Sequence, residues 1–437
     1  MSTYWCEQAW LPDGVAGGVR VSVGPNGRIV TVDPGAQATP DAYRLSGLVL
    51  PGAANAHSHA FHRALRGRTR NSATFWSWRT VMYELAGRLD PDSYLALATA
   101  VYAEMVLAGW TCVGEFHYLH HAPGGQRYSR PTMMADALRI AAARAGIRFT
   151  LLDTCYLTGD IGLGLSAEQA RFGDVTVAEW ADRLDAHPPD TAVSRTGAAI
   201  HSVRAVPRDV LPEVVAAAGD RPLHVHLAEQ TREVVRCRLV YGVSPAQLLY
   251  DTGALSSRTT AVHAIHVDDA DIRLLGTVGV SVAACPGTEA DLGDGIGPFA
   301  TLAGAGCPLV LGSDQHVVVD PFAEARALDH GQRLRSGCRD RFTAGALVSA
   351  LTAAGHAALG WPGDGVIAPG AACDLVALRT ESPRTAGCLP EQLPLAATAA
   401  DVDTVVVGGK VIVEGGCHLG LGDIGAALRS AIGRVWG

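Results

Sequence analysis

The chain has 437 residues, 48% of them hydrophobic and 18% charged, so it is too apolar for a disordered protein and rich enough for a large core. Its net charge is −8 and its basic residues do not cluster, which argues against a nucleic-acid groove or an anionic membrane surface as partner. All but one of the 35 basic residues are arginines, and the exception, Lys410, lies near the C-terminus; Schiff-base chemistry, a P-loop lysine and a carboxylated bridging lysine are therefore disfavoured.

The opening MSTYWCEQAW has neither the basic nor the apolar region of a signal peptide, and no apolar run reaches the ~18 residues of a membrane span. Ten cysteines are scattered without a C-x-x-C pair, as expected of reduced thiols in a cytoplasmic protein. Residues 1–50 read as short strands, with a hairpin about Pro25-Asn26-Gly27 in GVRVSVGPNGRIVTV. From Leu48 onward, short apolar runs alternate with Ala/Leu-rich helical stretches. The runs are LVLPGAANAHSH, TCVGEFHY, RFTLLDTCY, GAAIHSV, PLHVHLAE, TAVHAIH, VSVAACPG and PLVLGSD. Eight such units predict an α/β protein built on a (β/α)8 TIM-type barrel over residues 51–362. After a helical stretch, TAGALVSALTAAGHAALG, strands return in CDLVALR and DTVVVGGKVIVEGG. Residues 1–50 and 363–437 are thus expected to form one small β-rich domain built from both termini, with a terminal helix. The connection after the third barrel strand has no legible pattern.

Polar residues gather at the C-terminal ends of the expected barrel strands, where barrel enzymes place their sites. The first strand ends His57-Ser58-His59, and residues i and i+2 on a strand face one side, so both imidazoles can reach one cation. Alone, such a pair is weak evidence of a metal. The fifth strand carries His224, His226 and Glu229. His226 lies nearer the mouth and is the better ligand candidate, whereas His224 is expected to be a hydrogen-bonded core histidine. Glu229 lies just beyond the strand, placed for a general acid/base or for an ordinary solvated helix start. The sixth strand supplies His263 and His266, and the eighth ends Gly312-Ser313-Asp314, where an isolated aspartate would usually cap a helix. Together the four strand ends offer residues suited to one metal and its proton shuttle.

At this point the sequence resembles the amidohydrolase superfamily, in its mononuclear deaminase branch, and within it the formimidoylglutamate deiminase group. The segments that carry the resemblance are PGAANAHSHAFHRAL, FWSWRTVMYELAGRL, VGEFHYLHHAPGG, IHSVRAV, PLHVHLAEQT, CPGTEADLGDGIGP and LGSDQHVVVDP. The resemblance implies one divalent ion, zinc or similar, held by His57, His59, His226 and Asp314, and the absence of lysine from every barrel strand agrees with a mononuclear site. It further implies that Asp314 accepts the proton of a water, that His263 orients that water or steadies the tetrahedral centre, and that Glu229 protonates the departing nitrogen. For a substrate with two carboxylates it points to Arg79, Arg204, Tyr118, His201 and His62 as contacts. Trp76 and Trp78 are expected to pack rather than bind, and His117, His120 and His121 to be loop and packing residues. Three positions depart from the group: His62 where many relatives carry glutamine, Gln315 where serine is common, and Gly287 in place of a threonine. His62 is expected beside the substrate carboxylates, and the other two near the mouth. The expected partners are a small-molecule substrate with carboxylates and a second copy of the chain as a homodimer, with neither nucleic acid nor membrane.

Overall fold

The computed structural model describes residues 2–69 and 75–437. Two eight-stranded sheets organise it. Strands β1 (Ser2–Leu11), β2 (Gly14–Val23), β3 (Ile29–Asp33) and β4 (Tyr43–Pro51) belong to the first sheet. The second sheet contains β5 (Ala53–Ser58), β6 (Trp110–His117), β7 (Arg148–Cys155), β8 (Ser194–Ile200), β9 (Leu223–Leu227), β10 (Thr259–His263), β11 (Ser281–Ala284) and β12 (Leu309–Leu311). The chain then returns to the first sheet with β13 (Leu375–Leu378), β14 (Val402–Val407), β15 (Lys410–Glu414) and β16 (Cys417–His418).

All neighbours in the second sheet are parallel and run in chain order from β5 to β12. A parallel bridge between Ser58 and Asp314 joins the first strand to the chain just past the last, nearly closing the barrel. Residues on β5, β6, β7 and β9 are all buried, because side chains fill the interior and helices cover the outside. The first sheet joins both termini through β4, which pairs parallel with β1 and antiparallel with β13. The hairpin about Asn26 is present: β2 and β3 pair antiparallel, with Gly27 at φ 74° in the turn.

Two readings change in detail. The run from residue 48 to 59 is two strands, because the chain crosses between sheets at Gly52, where a Cβ would collide with the side chain of Thr111. The stretch 343–360 is two helices, Ala344–Leu351 and Ala353–Ala358, broken at Thr352, whose hydroxyl donates to the Val348 carbonyl at 2.7 Å. The break lets the second helix lie against β5, with Gly355 packed closely on Ala54.

Between the sheets, the buried Arg148 bridges Asp364 at 2.7 Å and Asp374 at 3.3 Å while its guanidinium lies 4.1 Å from the Trp361 ring. In the unpatterned connection after β7, the helix Val177–Asp185 brings Arg183 onto the buried carboxylates Asp153 and Asp174.

Candidate metal and catalytic site

The side chains at the C-terminal ends of β5, β9, β10 and β12 converge on one cavity. His57, near the end of β5, and His59, just past it, point the same way, with ring centroids 4.7 Å apart. Their Nε2 atoms lie 3.6 and 3.5 Å from the same oxygen, Asp314 Oδ1. His226 on β9 brings its Nε2 to 3.2 Å from His57 Nε2. The barrel closure fixes this set, because Asp314 N–H donates to the His57 carbonyl at 3.0 Å and His59 N–H donates to that of Asp314 at 3.1 Å.

The donor set fits a small divalent cation. The Nδ1 of His226 lies 2.9 Å from the His201 carbonyl and that of His59 lies 2.9 Å from the Phe116 carbonyl. Each Nδ1 must therefore carry the proton, which leaves Nε2 with its lone pair turned inward. Both inward lone pairs can face a cation, and the His226 one lies 3.2 Å from His57 Nε2. Burial works against protonation: it holds His57 and His226 below their ordinary values and brings His59 down to about 3. Burial would raise the Asp314 carboxyl, but the hydrogen bond to His57 and the neighbouring His57, His59 and His263 rings outweigh it and hold the group well below the usual carboxylate range. Three neutral imidazoles and one carboxylate are what a zinc-like ion prefers.

Beside this set stand Glu229 and His263, a ring nitrogen of His263 lying within 4.8 Å of donor atoms of His57 and His226. His263 Nε2 lies 3.7 Å from Glu229 Oε1 and 3.8 Å from Asp314 Oδ2. Burial would lower the His263 imidazole, yet Glu229, Glu289 and Asp314 carry it up to about 10. Burial pushes the Glu229 carboxyl up, against the pull of His263 and Arg204. Among the described residues, five of the six non-glycine residues with positive φ lie at these strand ends: Ala228, His263, Ala264, Asp314 and His316. Backbone strain of this kind collects where side chains must be aimed.

The cavity wall includes Arg79, Arg204, Tyr118, His201 and His62, all expected from the sequence as substrate contacts. Their environments differ from what the sequence suggests. Arg204 is already engaged, with Nε donating to Glu233 Oε2 at 2.8 Å and Nη2 3.8 Å from Glu229 Oε2. Arg79 stacks over Trp76 at 4.5 Å and over Tyr83 at 5.4 Å, and Arg232 covers Trp76 at 4.4 Å. His62 Nε2 lies 3.0 Å from the Tyr118 hydroxyl, so the two hold each other against the cavity.

Several other expectations meet the structure here. His224 is a buried core histidine 3.0 Å from the Ala358 carbonyl, and His266 lies beyond the end of β10. His117, His120 and His121 are buried away from the metal-type set, His120 Nε2 lying 2.9 Å from the Thr154 carbonyl. Trp78 packs in the buried core against Phe75 and also lines the cavity, where its indole N–H has no partner among the described residues. Gly287 lies off the cavity wall: its N–H donates to Glu324 Oε2 at 2.8 Å, and a side chain there would meet that carboxylate. Gln315 does line the cavity and donates to Asp291 at 3.2 Å.

The sequence reading missed Glu289, Glu115 and Glu233. Glu289 lies 3.4 Å from His263 Nδ1. Glu115 accepts from Ser58 Oγ at 2.6 Å and Ala60 N–H at 2.7 Å, and so braces the turn that carries His59. No spacing rule links Glu289 to a histidine 26 residues earlier. Glu233, in the first turn of the helix Thr231–Tyr241, reads as an ordinary helix-start acid. The aromatic wall of Tyr156, Phe172 and Tyr83 was equally hidden, because nothing in three separate segments marks these rings as neighbours.

Comparison with known proteins places this geometry. Residues 48–412 match the family model described as the amidohydrolase family. The chain is 37% identical to the formimidoylglutamate deiminase of Pseudomonas aeruginosa, over 96% of each chain. It superposes on the crystal structure of an amidohydrolase from Brucella melitensis with a TM-score of 0.92 and 33% identity, over 100% of both chains. An adenosine deaminase from Xanthomonas campestris with bound zinc shares the fold at a TM-score of 0.83 and 24% identity, over 99% of this chain and 97% of that one.

Proposed function

Because the chain belongs to the amidohydrolase family, we propose that it hydrolyses N-formimidoyl-L-glutamate to N-formyl-L-glutamate and ammonia, a step of histidine degradation. It is a hydrolase of C–N bonds other than peptide bonds. The observation that carries the reading is the gathering of His57, His59 and Asp314 with His226 against His57, and Glu229 and His263 beside them. Those four residues would hold one divalent ion, Zn2+. Such an ion supplies hydroxide near neutral pH by lowering the pKa of water to roughly 7.

The chain's own residues supply the rest. Asp314, held as an anion, takes up the proton of the attacking water. His263 is a hydrogen-bond donor beside both carboxylates and steadies the oxygen that adds to the formimidoyl carbon. Glu229, with its carboxyl raised by burial, carries a proton to the nitrogen that leaves as ammonia. Water adds to the N–CH=NH carbon, the bond to the terminal nitrogen breaks, and the product keeps N–CH=O. Arg79 and Arg204 offer the charge that two substrate carboxylates need, while Tyr118, His62 and His201 offer further polar contacts.

A second reading, a deaminase of the same mechanism acting on another amidine or an aminated heterocycle, is favoured by two observations. Arg204 is partly committed to Glu233, and the aromatic residues Tyr156, Phe172, Tyr83 and Trp78 line the cavity. Metal content together with ammonia release from N-formimidoyl-L-glutamate, set against a panel of amidines and amino-heterocycles, separates the two. Turnover confined to uncharged substrates would sink the first.

No helix among the described residues is long and apolar enough to cross a membrane. A cytoplasmic homodimer is the proposed setting. The exposed stripe of Val235, Leu239 and Val240 on the helix Thr231–Tyr241 supports self-association.

A further inference from the structure

We infer that Glu289 is a positioning residue for the reaction, fixing the ring of His263 through its Nδ1 so that Nε2 faces the reacting atoms. The inference rests on the reading of His263 as a group that acts in the cavity. Glu289 lies on the short helix Pro286–Leu292 after β11 and is 3% exposed. One oxygen, Oε1, accepts from the Cys285 N–H at 2.9 Å and lies 3.4 Å from His263 Nδ1. A carboxylate facing Nδ1 holds that N–H, so Nε2 is the nitrogen turned toward Glu229 and Asp314. The anchor has something to hold, because His263 sits at φ 72° at the very end of β10, still paired with Leu227 of β9 but past the last pair with β11. His263 has carboxylates on both sides: Glu289 at Nδ1, and Glu229 with Asp314 at Nε2. Without Glu289 the ring could turn its Nδ1 toward those two instead, and the geometry Glu229 needs would be lost.

A single oxygen makes both of these contacts, so glutamine, which keeps one carbonyl oxygen at that place, can reproduce them. Leucine cannot. This separates positioning from simple helix support or bulk.

The test uses the metal-loaded full chain, with Glu289→Gln and Glu289→Leu beside the wild type. It reads kcat and KM by ammonia release, metal content, and the nitrogen-bound proton of His263 by NMR with 15N-labelled histidine, assigned by its absence in His263→Asn. Glu289→Gln should keep kcat within about threefold and retain the Nδ1–H signal. Glu289→Leu should keep its metal and a KM within about threefold, lose the Nδ1–H signal, and drop kcat roughly 10- to 100-fold. Wild-type kcat in Glu289→Leu overturns the inference, as does an unchanged Nδ1–H signal. Should Glu289→Leu fail to fold, Glu289→Gln decides: loss of kcat or of the signal in that variant also overturns it. The NMR signal is read without substrate. A wild type that shows it but releases no ammonia from N-formimidoyl-L-glutamate defeats the substrate reading and leaves the positioning of His263 standing.

Discussion

His226 and His57 meet Nε2 to Nε2 at 3.2 Å while the Nδ1 of His226 is occupied by the His201 carbonyl. Burial keeps both rings neutral, so each can turn one nitrogen lone pair toward a cation. Two such nitrogens this close can share one cation, which turns a pattern of histidines into a specific chemical expectation.

Removing a member of that set should therefore remove the ion. His59→Ala and Asp314→Ala should each bind less than one equivalent of metal and lose turnover, because each deletes a donor from a four-donor site. Metal analysis and ammonia release on the same preparations check this. Two ions per wild-type chain, both required for activity, would refute the single-ion assignment.

Glu229→Gln should keep its metal, because Glu229 is not among the converging donors, and lose several orders of magnitude in kcat, because glutamine cannot pass a proton. A near-normal rate in this variant would take Glu229 out of the mechanism.

Arg204→Met should cut kcat/KM for the dicarboxylate substrate roughly 10- to 100-fold, the effect of losing one charge-assisted hydrogen bond of about 1.5–3 kcal/mol. The pairing with Glu233 adds a second consequence, since Glu233 would be left buried without its cation. The variant should therefore also melt at a lower temperature than the wild type. An analogue lacking the matching carboxylate should lose much less; equal losses on both substrates would mean that Arg204 acts through Glu229 and Glu233 and not on the substrate.

The buried Arg183 network sets an acid limit. Burial would raise the Asp174 carboxyl, but Arg183 and His121 bring it down to about 2. A carboxyl whose folded pKa is depressed contributes stability that is fully present above its unfolded value near 3.8 and is lost as pH falls toward 2. Thermal unfolding followed from pH 5 to pH 2 should thus show a steep loss between about pH 4 and pH 2 that Asp174→Asn makes shallower. The same slope in wild type and Asp174→Asn would exclude this pair as its source. Arg183→Met should cost about 3–5 kcal/mol, because it strands Asp153 and Asp174 without their cation.

Gly287→Thr should destabilise this chain unless Glu324 moves. A Cβ at that position meets Glu324 Oε1, and the Gly287 N–H already donates to the same carboxylate. Pairing it with Glu324→Ala should recover part of the melting temperature, and a single variant as stable as the wild type would show that the carboxylate yields freely.

Much of this protein was legible in its residues. The eight apolar runs mark the barrel because each parallel strand is buried on both faces and so reads as a short hydrophobic block, as β7 and β9 do. His57, His59, His226 and Asp314 stand out because the period of a strand puts residues i and i+2 on one side and barrel chemistry collects at strand ends. The rest depended on contacts between residues far apart in the chain. Nothing in the spacing joins Glu289 to His263 or Arg204 to Glu233, and nothing marks Gly287 as a neighbour of Glu324. The strand-to-strand crossing at Gly52 and the helix break at Thr352 were likewise hidden, because both follow from how closely two separate elements pack. Periodicity along the chain determined which side chains reach the mouth of the barrel; only the folded contacts decided how their protons and charges are held there, since ion pairing and burial depend on distance in space and not on distance in sequence.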